Sequence, residues 1–574
     1  MRLVHEGNRS DPRRLVTAFD RLPAAAAAAG RGYSTSSMSD SSKPQTDLPE
    51  TFQSLLVAFA IALAFRGFVV EGFVIPTGSM APTLLGEHVR FRSPDTGYDY
   101  AFDQTSLRRS PPETVVPVFD PMISEDRPIG ATPVGAIRAN GRMGDRVLVL
   151  KYLYEFFEPD RWDVVVFKNP VDPIGPSQNY IKRLVGGGGE QVLLVDGDVF
   201  VAPLDGDLSD FRIVRRPDHV QASVWQPVYD SNFVPVSPQE VETRIKRRFD
   251  GPPFKPAGEA WKIADTRDWR WDFENTTWLD WADDQLPLDD FNAYNVYRYP
   301  LGRGDNRLNL RDLHPVSDLR FTAAITPDDP ETFTTSLELE ARDHRFVFSL
   351  EAGEAQVEML DADGEALRSA TGDYEPGHGG VIDVQFVHVD QTMVIRVGGE
   401  EVARLEYEWN PLSRLEHATF DFDMERYRAN PRQADLRRPR VRWKFEGSPF
   451  SLRGVNVDRD LYYRVGRLDT RQQAAANGPR VDGPLYGSDP LEPARLGPNQ
   501  FMMLGDNSGA SRDSRYWGRP HPLAVSTTGD DTPFVVHRDL LVGKAWCVYF
   551  PAPNRLNGTG LSIVPDLGRM RFIR

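Results

Sequence analysis

Cysteine is all but missing from this chain of 574 residues: there is one, Cys547, in the apolar run AWCVYF. A lone cysteine excludes an intramolecular disulfide and leaves the redox compartment open, and its neighbours make it read as a buried structural thiol. Histidine is scarce too, ten in all. No H-E-x-x-H and no G-x-S-x-G occurs, which removes two familiar hydrolase signatures. Positive charge is outweighed, and the net charge of −16 argues against general nucleic-acid binding while saying little about fold. No apolar stretch precedes Leu55, so a bacterial export signal is not expected. The apolar run over 52–65 is fourteen residues long, short of the ~20 that cross a bilayer as a helix.

What is present is length. At 40% hydrophobic and 26% charged, the chain has room for about three or four domains of ~150 residues. Residues 1–47 do not read as one of them. They hold six Arg, AAAAAA at 24–29 and STSSMSDSSKP at 34–44, the composition of a disordered cytoplasmic tail. Met1 and Met38 both remain open as the start. Beyond the tail the apolar run is broken by Arg66 and resumes as GFVVEGFVI to Ile75. A tilted span from about Phe52 to Val70, with Arg66 reaching the far interface, is the expectation, giving a transmembrane helix over 48–72. The bland alternative is a buried core helix. Six Arg before the run against one just after it put the N-terminus inside and the body outside the cytoplasmic membrane, single-pass.

Residues 74–86 then read VIPTGSMAPTLLG. A catalytic serine needs a turn that exposes its hydroxyl, a base for its proton and donors for an oxyanion. Pro76 and Gly78 supply turn chemistry around Ser79. The nearest imidazole is His88, which leaves lysine as a candidate base if desolvation brings its pKa toward neutrality. In NYIKRLVGGGGE (179–190), Tyr180, Lys182 and Leu184 alternate with Ile181, Arg183 and Val185. As a strand this sets Lys182 among apolar neighbours. Taken alone, a lysine on a strand is more often a solvated edge charge.

VIPTGSMAPTL, GDRVLVLKYLY, DVVVFKNP, YIKRLVG and GDNSGASRDSRYWG follow one another in that order. Together they resemble bacterial type I signal peptidase, over about 73–200 and 496–552. The resemblance implies a membrane-anchored serine endopeptidase of β-rich fold that removes signal peptides from exported preproteins, without cofactor or metal. It implies Ser79 as nucleophile and Lys182 as general base. Thr77 takes the place of the hydroxyl residue beside the oxyanion hole, which the Ser79 N–H completes. Ser511 matches a serine that orients the lysine, and Asp513 and Arg515 match a structural ion pair. Ile75 and Met80 would line shallow pockets for the small residues before the cut. The partners so implied are signal peptides of secretory preproteins and the lipid bilayer, with no nucleic acid.

Three stretches depart from the family pattern. Gly186-Gly187-Gly188-Gly189-Glu190 stands where GLPGD is usual, suggesting a more mobile loop. GDNSGAS stands for GDNRDNS, so any ion pair made by that Arg and Asp is lost at Ser508 and Gly509. SPDTGYDYAF (93–102) reads like a C-P-x-C-G-Y knuckle with both cysteines replaced, an ordinary loop without thiolates for zinc.

Between YIKR and GDN lie more than three hundred residues. Five of the eleven Trp fall in 261–281. Then come period-2 segments at 319–325, 335–341, 344–350, 355–361, 381–389, 393–397, 403–409 and 441–447. Short alternating segments with turns between them predict an inserted antiparallel β-sandwich over 222–465, followed by a C-terminal tail over 553–574. VDQTMVIRVGGEEVARLEY resembles, more loosely, a hairpin of concanavalin A-like jelly rolls. Such domains often bind glycans, so a glycan or protein ligand is a candidate partner, although clustered Trp more often fill a core. The expected fold class is therefore mainly β: a peptidase-like catalytic domain on one N-terminal helix, interrupted by the sandwich. Two functional alternatives stand beside the peptidase. One is a membrane-tethered glycan- or protein-binding module on an inactive peptidase scaffold. The other, weaker, is a self-cleaving Ser/Lys regulator.

Overall fold

The structure, a computed structural model, describes residues 48–574 except 246–250, 259–260, 264–266, 303–305, 432–433, 468–483 and 556–561. The expected tail over 1–47, and with it the choice between Met1 and Met38, lies outside the described residues, as does the side chain of Arg66. The chain divides into two units between Ala62 and Leu63. A helix forms over Leu48–Phe68, where Ala and Leu recur and neither Pro nor Gly falls between Pro49, tolerated in the first turn, and Gly67 near the end. Leu55, Leu56, Val57, Phe59 and Ile61 on it are exposed. Among the described residues no helix is long and apolar enough to cross a membrane. The segment expected to continue the span is a strand instead: Val70–Val74 pairs antiparallel with Arg146–Leu150, Val70 opposite Leu150.

The unit from Leu63 onward is mainly β. One antiparallel sheet runs in the order Val70–Val74, Arg146–Leu150, Leu541–Phe550, Val164–Lys168, Asn179–Gly186, Gln500–Leu504, Val536–His537. Alternation builds its two faces. Val165 and Phe167 join Leu184, Met503 and Trp517 in one apolar cluster. Val164 and Val166 join Ile75, Met80, Val147, Val149 and Ile181 in another. Side chains on a strand point alternately to opposite faces, so a run such as VVVF belongs to a sheet covered on both sides.

The expected C-terminal tail over 553–574 packs back on the body through its described end. Arg571–Phe572 pairs with Leu541–Phe550, Arg569 binds Asp145 at 2.9 Å, and Ile573 is buried. Cys547, on the paired strand, is half-buried rather than buried. In the knuckle-like stretch only the turn at Ser93–Gly97 is loop; Asp99–Asp103 is a strand paired with His88–Arg92.

Each of the eight period-2 segments holds a strand, though that of 403–409 ends at Glu406. They belong to two antiparallel sheets that enclose one core, with Phe321, Val384, Phe386 and Ile395 from one and Leu337, Phe346, Phe348 and Trp443 from the other. Trp261, Trp269, Trp271 and Trp281 are buried in that core, which favours packing over sugar stacking; Trp278 alone of the five is 38% exposed, under the Arg442 guanidinium. The sandwich is tied to its surroundings. Val241 and Ile245 pack on Val118, Ile123 and Ile129, and Phe291, Val296 and Leu308 pack on Val89, Tyr100 and Phe102.

A buried ionic network crosses the same boundary. Arg216 binds Asp390 and Asp460 at 3.0 and 2.7 Å, and Arg342 binds Asp196 and Asp318 at 2.8 and 2.7 Å. Arg414 binds Asp196 and Asp198 at 2.9 and 2.6 Å. Removing one member of such a set leaves a buried charge uncompensated, at a cost of about 3–5 kcal/mol. Arg414→Met should therefore lower the unfolding free energy by that order in a urea titration. A loss below about 1 kcal/mol, the scale of an exposed pair, would contradict the role of this network.

Candidate active site

Ser79 lies in the turn that follows the strand Val70–Val74. The turn is fixed by its own backbone: Ala81 N–H donates to Gly78 O at 3.0 Å and Leu84 N–H to Met80 O at 2.8 Å. Ile75 and Met80 nail it to the core below, at 3% and 0% exposure. They were expected to line shallow substrate pockets; in the structure both side chains are packed in the apolar cluster beneath the turn. Pro76 and Thr77 are exposed and Ser79 is half-buried. No acceptor among the described residues takes the Ser79 N–H.

Lys182 is on the strand Asn179–Gly186, inside the sheet, opposite Val165. Its Nζ donates to Ser79 Oγ at 2.6 Å and to Ile181 O at 2.9 Å. The side chain is 3% exposed. Burial lowers its pKa to about 8; Asp513 and Asp506 pull the other way, and Arg515 adds to the lowering. A charged amine with so little water is costly, so the neutral form gains. His88, the nearest imidazole, is fully buried against Gly86 O and its pKa is lowered to about 4, first by desolvation. It does not reach Ser79.

The loop 505–515 closes the site from the other side. Asp513 and Arg515 are fully buried and paired at 2.7 Å, and Asp513 accepts from Gly505 N–H at 3.0 Å. Burial opposes the Arg515 charge, but Asp513 keeps its pKa raised. A Cβ on Gly505 would overlap Ser79 O and Ser511 Oγ, so only glycine lets the loop approach this closely. Ser511, expected to hydrogen-bond the lysine, is buried beside Gly505, and its Oγ has no partner. The lysine is turned toward Ile181 O instead.

Three residues that sequence reasoning passed over bind the site together. Asp506 accepts from Arg183 at 2.9 and 2.7 Å and from Thr83 Oγ1 at 2.6 Å. It thereby joins the serine turn, the lysine strand and the closing loop. Arg183 adjoins Lys182 in YIKR and Asp506 stands in GDN, so the motifs held both without showing that they meet. The four-glycine turn is also tied, since Gly187 N–H donates to Glu190 Oε1 at 2.6 Å and Arg161 holds that carboxylate at 2.7 Å. Elsewhere, Asp198, Asp318, Asp390 and Asp460 have carboxylate oxygens within 4.8 Å of one another. Arg216, Arg342 and Arg414 lie among them and supply the positive charge a metal ion would bring.

Residues 131–236 match the family described as Signal peptidase, peptidase S26. Signal peptidase I of Rickettsia typhi is 29% identical over 162 residues, 28% of this chain and 46% of that protein. The chain resembles signal peptidase I. Signal peptidase I of Rickettsia rickettsii is likewise 29% identical, over 164 residues, 28% of this chain and 47% of that one. The chain thus spans about half the length of these signal peptidase relatives. The stretch matched to the family contains Lys182, while Ser79 and Ser511 lie outside it and reach it through the fold. Among solved structures, a carbohydrate binding module from Bacillus subtilis is similar over 36% of this chain and 97% of that one, at 7% identity and a TM-score of 0.21. So low a score carries no argument.

Desolvation of Lys182 has a direct readout. Its amine should titrate near pH 8 when followed through the side-chain carbon shifts of labelled lysine by NMR. A midpoint near the ordinary ~10.4 would show that water reaches the amine.

Proposed function

We propose that the protein is a serine endopeptidase of the signal peptidase type, working through Ser79 and Lys182. The observation that carries this reading is the 2.6 Å approach of the buried Lys182 Nζ to Ser79 Oγ. In the working state the amine is neutral and accepts the Ser79 O–H proton. Oγ then attacks the scissile carbonyl carbon, and the oxygen becomes an oxyanion. The C–N bond breaks as the lysine ammonium returns its proton to the leaving amine, leaving an acyl-serine. Lys182 next deprotonates a water, whose attack releases the acid and restores Ser79. The unused Ser79 N–H and the exposed Thr77 are the oxyanion donors in this reading.

The substrates that suit it are signal peptides of secretory preproteins. The exposed apolar residues of the helix Leu48–Phe68 support a hold on the bilayer, with the body on the outer face of the cytoplasmic membrane, where enzyme and substrate meet in two dimensions. Removing residues 1–69 should move the protein from the membrane fraction to the soluble one. Retention in the membrane fraction would place the anchor elsewhere.

Cleavage of a preprotein tests the chemistry. Ser79→Ala and Lys182→Met should each abolish it with thermal unfolding unchanged. Thr77→Ala should lower kcat by ~10²–10³-fold, the scale for one oxyanion donor. Because the free amine is the working form, wild-type kcat should rise with pH through about 8 and level off above it. Cleavage by either dyad variant at a rate near wild type would remove the assignment.

A further inference from the structure

We propose that Asn295, on a segment that leaves the β-sandwich, is a positioning residue for the peptide bond before Ser79. This rests on the peptidase reading and extends it to a part of the chain outside all five motifs.

Asn295 and Asn507 face each other as a reciprocal amide pair. Asn295 Nδ2 donates to Asn507 Oδ1 at 2.6 Å, and Asn507 Nδ2 donates to Asn295 Oδ1 at 2.9 Å. Both side chains are buried. The second hydrogen of Asn507 Nδ2 goes to Gly78 O at 2.9 Å, and the Asn507 backbone N–H goes to Ser79 O at 3.1 Å. Asn507 therefore grips the carbonyls on both sides of the serine. Its amide has two donor hydrogens, and both are committed. If the amide turned over, its oxygen would face the Gly78 carbonyl, oxygen against oxygen. Asn295 prevents this, because its own amide offers a donor and an acceptor in the matching order.

The orientation bears on catalysis through the planarity of the peptide. In a trans peptide the C=O and the following N–H point in opposite directions. Holding Gly78 O toward Asn507 turns the Ser79 N–H away from it, toward the side where no protein acceptor takes it. That N–H is the proposed oxyanion donor. Tyr294 fixes the same peptide from above, since a Cβ on Gly78 would overlap its ring.

Asn295 is itself well held. It lies in the short 3-10 helix Ala293–Arg298, whose first turn is capped by Asn292 Oδ1 accepting from Tyr294 N–H at 2.9 Å. Arg298 at its end pairs with Asp103. A second strap comes from the chain returning out of the sandwich. Arg464 pairs with Asp290, its N–H donates to Ser508 Oγ at 2.8 Å, and its carbonyl accepts from Arg515 at 2.9 Å. A Cβ on Gly509 would come within 3.0 Å of the Arg464 guanidinium. Ser508 and Gly509, where the family motif has Arg and Asp, thus leave room for an ion pair brought in from the sandwich side.

The test uses the full chain carrying Asn295→Ala or Asn295→Asp, with kcat and KM on a preprotein and hydrogen–deuterium exchange of the backbone over 76–86. Asn295→Ala should lower kcat about tenfold or more, the scale of a small misplacement at a reacting centre, with KM within twofold. It should also speed exchange over 76–86. Asn295→Asp carries the finer readout. Its protonated carboxyl donates to Asn507 Oδ1 and accepts from Nδ2 as the amide does, whereas its carboxylate cannot donate. Asp290, Arg459, Tyr462, Arg464 and Asp506 line the same recess and will set where it titrates. The kcat ratio of Asn295→Asp to wild type should therefore climb as pH falls, while the ratio for Asn295→Ala stays flat. Unchanged exchange over 76–86, a kcat within twofold of wild type, or a flat ratio for Asn295→Asp would each overturn the proposal. Thermal unfolding checks that both variants fold, and the carboxyl variant at low pH serves if the alanine variant does not. A wild-type protein that cleaves no preprotein would count against the peptidase reading alone, and the exchange comparison then decides the positioning claim by itself.

Discussion

Everything around the site serves to keep one amine dry. Lys182 has Ser79 Oγ and Ile181 O for hydrogen-bond partners. Exposure to water would return it to the ordinary lysine range and make it a poor base at neutral pH. Dryness requires a position inside the sheet, covered on both faces. That in turn requires a neighbouring strand on each side, Val164–Lys168 from close by in sequence and Gln500–Leu504 from far along the chain. The two carboxylates nearest in effect, Asp513 and Asp506, oppose the shift but do not cancel it. Each is committed to an arginine, so little of its charge is left to stabilise an ammonium.

Those arginine pairs are better understood as geometry than as stability. A buried ion pair gains little over well-packed apolar residues, because both ions lose their water. What Arg183–Asp506 and Asp513–Arg515 do supply is direction. Each fork accepts its carboxylate in few orientations, and Asp506 extends the constraint to Thr83, four residues past the serine. The serine turn, the lysine strand and the closing loop have no covalent proximity, yet these contacts leave them little freedom relative to one another.

Much of this was legible in the sequence, for reasons that are local. The eight sandwich strands announce themselves by period-2 alternation, and the lysine strand does so by apolar neighbours. Pro76 and Gly78 mark the serine turn by their turn chemistry, and Gly78 also leaves space that the Tyr294 ring fills. What stayed hidden depends on partners far apart along the chain. Nothing near Asn295 points to Asn507, and nothing near Arg414 points to Asp196. Ile75 and Met80 looked like pocket walls because an apolar residue beside a serine suits a pocket or a core equally well, and only packing decides. Ser511 was placed by motif alone, and the structure leaves its hydroxyl unpartnered. The strand at Arg571–Phe572 is two residues long, too short for any periodicity to reveal it.

The strand order also dictates when the site can come into being. Leu541–Phe550 sits between Arg146–Leu150 and Val164–Lys168. On a ribosome the serine-bearing strands and the lysine hairpin emerge early, but the strand that joins them emerges only after nearly all the intervening chain. Until then each half has an unpaired edge, the kind of surface that other chains can capture. The sandwich, whose strands all lie between Gln226 and Arg459 and so emerge before Leu541–Phe550, can fold during that wait. A nascent chain thus carries two separate halves of the sheet ahead of the sandwich, and they are joined only when Leu541–Phe550 arrives between them.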